Sequence, residues 1–243
     1  MEQPSRKTVQ RVRHELRMRE VSVARIETVG EHFASITFQG EALADFVSLS
    51  FDDHVKFMFD DGAGTQVRRD YTPRRFNAQS RELTIEFALH GDGAASNWAR
   101  HAQPGDRAII GGPRGSMIVP PDFDWHLLAG DSTALPAMRR RLEELPAGVK
   151  VQVLVTGQAA EQLDFTSAAT VELRIVADAA ALVQALRDLS LPEGDGFVWF
   201  AGEAAVAKQV RDIVFVEKAF PRQAARISAY WKEGALGHHE NLE

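Results

Sequence analysis

The sequence predicts two structural units. An N-terminal six-stranded antiparallel β-barrel is expected over residues 1–121, and a C-terminal α/β domain with a parallel sheet over residues 122–243. Three observations carry this. The first half holds short stretches of near-alternating apolar residues, rich in β-branched types and separated by turn signals. The second half alternates apolar runs with amphipathic ones, the pattern of a parallel sheet covered by helices on both faces. Between them VPPDFDW breaks the pattern, and Pro120 and Pro121 mark a hinge. A chain of 243 residues suffices for two units with a core each.

Taken in order, residues 1–20 are highly charged and are expected to be loosely held. The strands VSVARIETV, HFASITFQG, HVKFMF, VRRDYTPRRF, ELTIEFALH and RAIIGG follow, with turns at FDDGAGT, FNAQSRE and QPGDR and one helical insertion, GAASNWARHA. HLLAGD then reads as a short buried strand. TALPAMRRRLEEL is a helix with Leu135, Met138, Leu142 and Leu145 on one face. Strands KVQVLVTG and VELRIVAD, helix AALVQALRDL, strand GFVWFAGE, helix AVAKQVRDIVFVEKAF and strand ARISAYWKEG complete the chain. In sheets of this kind ligands sit at the carboxyl ends of the strands.

Composition narrows the function. Net charge is −6, yet Lys plus Arg equals Asp plus Glu over residues 1–120, so the deficit belongs to the remainder. Positive charge is local, which suits a small anionic ligand better than a nucleic acid. The absence of cysteine excludes disulfides, thiolate metal sites and a Cys nucleophile, and fits a cytoplasmic protein. The N-terminal MEQPSRKTVQRVRHELRMRE has no apolar core, so no secretory signal is expected, and no run approaches a membrane span. The eight histidines form no metal-spaced set, and there is no G-x-S-x-G elbow, Walker loop or G-x-G-x-x-G fingerprint.

Several short motifs carry chemistry. RRDYTPRRF packs four arginines around one Tyr-Thr pair. It reads either as an exposed edge strand with solvated arginines or as an anion site. In the second reading arginine meets phosphate, and a tyrosine two positions on lies on the same strand face against a flat aromatic cofactor. HGDGAASNWA places glycines before a helix start, either a turn with a cap or a phosphate cradle. GGPRGS is a tight turn or a loop from which Arg114 reaches an anion. AGDSTALPA joins the first strand of the second domain to its first helix, with Asp131, Ser132 and Thr133 able to cap it. FAGEAA is a second strand-to-helix turn that would flank the same crevice.

RRDYTPRRF, HGDGAASNWA, GGPRGS, AGDSTALPA, FAGEAA and AYWKEG, in this order from about Val21 to about Gly234, resemble the siderophore-interacting proteins. These are flavin-dependent ferric-siderophore reductases related to the ferredoxin–NADP reductases. The resemblance implies a barrel that binds FAD and a C-terminal domain that binds NADPH or NADH. It implies that Arg69 holds the FAD pyrophosphate, Tyr71 packs along the isoalloxazine and Thr72 bonds near its reactive nitrogen. It further implies that His90, Gly91, Gly93, Ala95 and Ser96 wrap the diphosphate and adenine side. Asp131, Thr133 and Ala134 would border the nicotinamide-nucleotide crevice, with Gly202 and Glu203 opposite. Lys56 and Lys232 match basic residues that meet the anionic ferric siderophore, and Arg114 is a further candidate. Two positions depart from the family pattern. Ala94 replaces a proline, which adds an N–H donor. Ser132 replaces a glutamate, which leaves the choice between NADPH and NADH open.

The expected activity is therefore electron transfer from NAD(P)H through FAD to Fe(III)-siderophore, with a catecholate complex favoured for its greater negative charge. The chain is expected to act as a monomer without nucleic-acid or membrane partners. Two alternatives stand beside it: a reductase of ferredoxin or flavodoxin, and a non-catalytic flavin- or siderophore-binding module, which would have no need of a nucleotide domain.

Overall fold

The computed structural model describes residues 7–62, 64–89, 93–157, 164–235 and 240–242. Two compact units emerge: Arg11–Ile118, and Val119 onward together with the described residues up to Gln10.

In the first unit a seven-stranded antiparallel sheet is built from β2 (Met18–Val29), β3 (Phe33–Gln39), β4 (Val55–Asp60), β5 (Gln66–Tyr71), β6 (Arg75–Asn77), β7 (Glu82–Ala88) and β8 (Arg107–Gly111). Their order is β5-β4-β8-β2-β3-β7-β6. Six strands were expected in a closed barrel. The seventh arises because VRRDYTPRRF divides at Thr72–Arg74. Pro73 has no N–H to give a ladder, and Arg74 turns its own N–H to the Thr84 carbonyl, at 2.9 Å. The two halves therefore end up at opposite edges, β5 on β4 and β6 on β7, and hydrogen bonding does not close the sheet. A separate pair, β1 (Gln10–Arg13) and β9 (Gly115–Ile118), forms a two-stranded sheet.

The alternation legible in the sequence sets the core. Val21 and Val23 of β2, Leu83, Ile85 and Phe87 of β7, and Val55 and Phe57 of β4 all point inward and are buried. The predicted helical insertion is α1 (Ala94–His101), whose Ala95 and Ala99 lie on this core. Trp98 packs among Phe57 (centroids 4.9 Å apart), Phe59 (5.5 Å) and Phe87 (5.9 Å).

The second unit is a six-stranded sheet in the order β12-β11-β10-β13-β14-β15. Its members are β10 (Trp125–Gly130), β11 (Lys150–Thr156), β12 (Thr170–Val176), β13 (Gly196–Glu203), β14 (Ala225–Trp231) and β15 (Glu240–Asn241). The first five strands are mutually parallel, and β15 is an antiparallel edge. Helices α2 (Leu135–Glu144), α3 (Ala179–Asp188) and α4 (Ala204–Asp212) occur where the amphipathic runs place them. Trp125, Leu127 and Ala129 of β10 pack with Leu182 and Leu186 of α3 and Ala207 and Val210 of α4. The alternate residues of β10 face the other way, where α2 sets the Met138 methyl 3.2 Å from a Cβ built on Gly130. The chain leaves β10 for β11 and β12 on one side, then returns to place β13 and β14 on the other. A topological switch point thus lies between β10 and β13, where ligands enter open sheets of this kind. No helix among the described residues is long and apolar enough to cross a membrane.

His126, on β10, is fully buried beside Phe123 and Phe197. Burial, aided by the Arg141 guanidinium, pushes its imidazole down to about 3, and the Pro121 carbonyl offsets part of this. The native state therefore refuses a proton that the unfolded chain accepts below about pH 6.5. Stability from neutral His126 is complete above that pH and drains away as the pH falls toward 3. In urea unfolding, His126→Leu is expected to gain on the parent protein by about 2 kcal/mol between pH 7 and pH 5. A constant gap between the two curves would contradict this origin.

Candidate functional site

Two clusters of sequence-predicted residues form, one in each unit. In the first, β5 lies antiparallel to β4, with Arg69 opposite Phe57, Asp70 opposite Lys56 and Tyr71 opposite Val55. Phe57 and Val55 are core residues, so alternation puts Arg69 and Tyr71 on the core side of the strand and Asp70 and Lys56 on the reverse. The Tyr71 ring lies edge-on to Phe57 (centroids 5.9 Å, 88°) and against Phe87 (4.4 Å). Burial raises its phenol well above the usual value, with Arg69 offsetting part of the rise. Thr72 follows, buried.

The four arginines of RRDYTPRRF have different fates. Arg68 bonds the Gln66 amide oxygen at 3.1 and 2.8 Å. Arg74 is buried and pairs with the buried Glu86 carboxylate at 3.3 Å, a structural contact. Arg75 is exposed on β6. Arg69 donates to the Arg68 carbonyl at 2.8 Å and has no carboxylate partner among the described residues. It is the arginine that shares a strand face with Tyr71.

Gly93 is the N-cap of α1 and supplies no side-chain cap, so the first N–H groups of the helix, those of Ala94, Ala95 and Ser96, lack intrahelical acceptors. The Ser96 hydroxyl is committed: it donates to the Ala88 carbonyl at 2.9 Å and ties α1 to β7. His90 and Gly91 lie outside the described residues. Beside α1, a cavity of about 560 Å³ opens between the helix and the β4–β5 hairpin, lined by Phe59, Asp60, Asn97, Trp98, His101 and Asp106 among others. On the reverse face of β4, Lys56 is held by Asp70 at 2.7 Å. Arg114 is exposed in the β8–β9 turn, without an ion pair among the described residues.

In the second unit the candidates gather at the switch point. Asp131 follows the last residue of β10. Its Oδ1 accepts from the Thr133 backbone N–H (2.9 Å) and hydroxyl (2.6 Å), capping the turn that leads into α2. Its Oδ2 accepts from the Glu203 N–H at the end of β13 (3.0 Å) and from the Trp231 indole at the end of β14 (2.9 Å). One carboxylate therefore ties three strand ends together. The approach needs glycine at two places: a Cβ on Gly130 would stand 2.2 Å from the Ala201 carbonyl oxygen, and one on Gly202 2.7 Å from Asp131 Oδ2. Glu203 caps α4, accepting from the Ala205 and Val206 N–H groups. Those donors are thereby closed to a phosphate. Ala134 is fully buried and packs beneath Gly130. Lys232 is exposed just past β14.

Sequence reasoning did not single out Trp231. The residue is 41% exposed, unusual for tryptophan, yet its indole N–H is fixed by Asp131. Its adjacency to Lys232 in AYWKEG was the only signal, and the partner is 100 residues away. Asp70 escaped for the same reason, because a cross-strand pair appears only when the register is known.

The comparisons with known proteins agree with this anatomy. The family model for the siderophore-interacting FAD-binding domain matches residues 22–68 and 61–117, and that for the siderophore-interacting protein matches residues 123–234. An NADPH-dependent ferric-chelate reductase of Escherichia coli is 37% identical over 91% of this chain and 96% of its own. The ferric vibriobactin reductase ViuB of Vibrio cholerae is 29% identical over 85% of this chain and 86% of its own. Among solved structures, a siderophore utilization protein from T. fusca superposes with a TM-score of 0.86 at 31% identity, covering 98% of both chains. A ferredoxin reductase of carbazole 1,9a-dioxygenase shares the fold, with a TM-score of 0.61 at 17% identity over 87% of this chain and 69% of its own. With both halves matched in order and relatives alike over nearly the whole chain, this protein belongs to the siderophore-interacting protein family.

Proposed function

We propose that the protein is an NADPH-dependent ferric-siderophore reductase that uses FAD. The observation that carries the reading is Arg69, free of any carboxylate among the described residues and on the same strand face as the half-buried Tyr71. A flavin dinucleotide needs that combination: a cation for its pyrophosphate and an apolar aromatic wall for its ring.

The donor set of the first unit fits FAD. Arg69 and the open N–H groups at the start of α1 would take the diphosphate. Tyr71 would lie along the isoalloxazine, Thr72 would bond at its polar edge, and the cavity beside Trp98 has room for the adenosine half. His90 and Gly91 are assigned to the same wrapping by family resemblance. In the second unit NADPH would meet the switch point. There Thr133, Gly202 and Glu203 would border the crevice, and Trp231 would offer a flat ring. Held by Arg69, Tyr71 and the α1 N–H groups, FAD would supply the chemistry that couples two-electron oxidation of NADPH to one-electron reduction of Fe(III) in the chelate. Iron is the substrate. Hard oxygen donors hold Fe(III) far better than Fe(II), so reduction loosens the metal.

No protein acid or base is required by this chemistry. The residues bind, orient and set charge. Lys56, Arg114 and Lys232 provide positive charge for an anionic chelate, and a tris-catecholate complex, with its three negative charges, suits them best. The protein is expected to work as a monomer in the cytoplasm, where NADPH is available.

Three outcomes check this. Anaerobic NADPH should bleach the flavin absorption of the purified protein, and added ferric siderophore should restore it. Bleaching without recovery would redirect the reading to a protein acceptor, and a chain that takes up no FAD would overturn it. Arg69→Ala should weaken FAD binding about ten- to hundredfold, the worth of a charge-assisted contact, as measured by fluorescence titration of apoprotein; unchanged affinity would remove Arg69 from the site. Asp131→Asn should lower unfolding stability by about 1–3 kcal/mol and raise KM for NADPH while FAD content is retained. An unchanged KM would limit Asp131 to structure.

A further inference from the structure

Lys56 and Asp70 stand directly opposite on β4 and β5, with Nζ 2.7 Å from Oδ2. The lysine side chain is 44% exposed and the aspartate 16%. The second aspartate oxygen, Oδ1, is sealed from solvent and has no hydrogen-bond partner. A cross-strand pair that served stability alone would have both carboxylate oxygens satisfied, since an unpaired buried acceptor is costly. The nearest alternative cation on that strand face, Arg68, is two residues back and already bonded to Gln66. Across from Lys56 on its other side stands Gly111, which has no side chain, and the Met18 and Met58 side chains close over it. Among the described residues Lys56 thus has one anionic partner, and that partner is only half satisfied.

We propose that Asp70 is an internal counter-ion that sets the charge selectivity of the ferric-chelate site. In the resting protein it neutralises Lys56. A chelate gains the Lys56 charge only by displacing Asp70, which a multiply anionic complex does and a neutral one does not. Asp70 is thus a positioning residue that damps the preference of Lys56 for anionic chelates and leaves electron transfer untouched. This inference rests on the reading of Lys56 as a substrate contact.

The test uses the FAD-loaded protein, Asp70→Asn, Lys56→Ala and the double variant, with flavin absorption confirming folding; Asp70→Ser replaces Asp70→Asn should the latter fail to load FAD. Two probes are compared: tris-catecholate complexes of charge −3 and neutral tris(acetohydroxamate) complexes. The iron(III) forms report KM and kcat, and the redox-inert gallium(III) forms report Kd by calorimetry. Asp70→Asn is expected to tighten the catecholate complex about two- to fivefold in both Kd and KM, the factor an exposed ion pair is worth, with kcat and the hydroxamate values unmoved. The gain should vanish in the Lys56→Ala background. A weakened Lys56→Ala with an unaltered or weaker-binding Asp70→Asn would overturn the counter-ion role and spare Lys56. Equal gains for both probes, or a gain that persists without Lys56, would also overturn it. A Lys56→Ala variant that binds the catecholate complex as the parent does would instead defeat the reading of Lys56, and this inference with it.

Discussion

The switch-point end of the second unit depends on one carboxylate. Asp131 takes four donors: two from Thr133, one from the end of β13 and one from the end of β14. Hydrogen bonds to a charged group contribute about 1.5–3 kcal/mol each. Their sum is less informative than their placement. They join the first turn after β10 to strands that arrive more than seventy positions later in the chain, and they hold the switch point open in a fixed shape. Glycine at 130 and 202 follows from that closeness, because a side chain at 202 would collide with the Asp131 carboxylate and one at 130 with the β13 backbone at Ala201. The usual glycine-rich dinucleotide fingerprint is absent, and a saturated aspartate organises the crevice in its stead.

In the first unit the governing constraint is the two-residue period of β5. It separates neighbours in sequence by function: Arg69 and Tyr71 turn to the core side, Asp70 to the reverse with Lys56. Four arginines in nine residues look like one basic patch. Their partners divide them into a buried structural pair with Glu86, a surface contact with Gln66, an exposed edge residue and one arginine, Arg69, with no carboxylate partner among the described residues. Local charge density in a strand is therefore a poor guide to ligand charge until each side chain has been assigned a face and a partner.

The fold and the local frame of the candidate site were legible in the sequence. Alternation in VSVARIETV and ELTIEFALH placed the inner face of the sheet, and the alternating runs after Pro121 placed β10 to β14 and their helices. The strand-to-helix turn AGDSTALPA was legible from its capping residues, Asp131 among them, since capping is local, and FAGEAA from its place between a strand and a helix; that Glu203 caps α4 came only with the structure. What escaped was every feature made by partners distant in sequence. The division of VRRDYTPRRF into two edges, the Ser96 hydroxyl spent on Ala88, the Trp231 indole on Asp131 and the buried His126 each depend on which residue arrives opposite.

By itself, then, the sequence determined the order and type of the elements, the position of the inner faces and the local caps, because these follow from periodicity and from bonds spanning a few residues. Through the ordered motifs it also determined the family. Only the tertiary structure decided which arginine remains for an anion, which hydroxyl is already committed, and that Lys56 carries its own counter-ion. Those outcomes are set by register and by contacts between distant strands, and a one-residue slip in β5 would turn Arg69 and Tyr71 together to the reverse face and bring Asp70 to the core side.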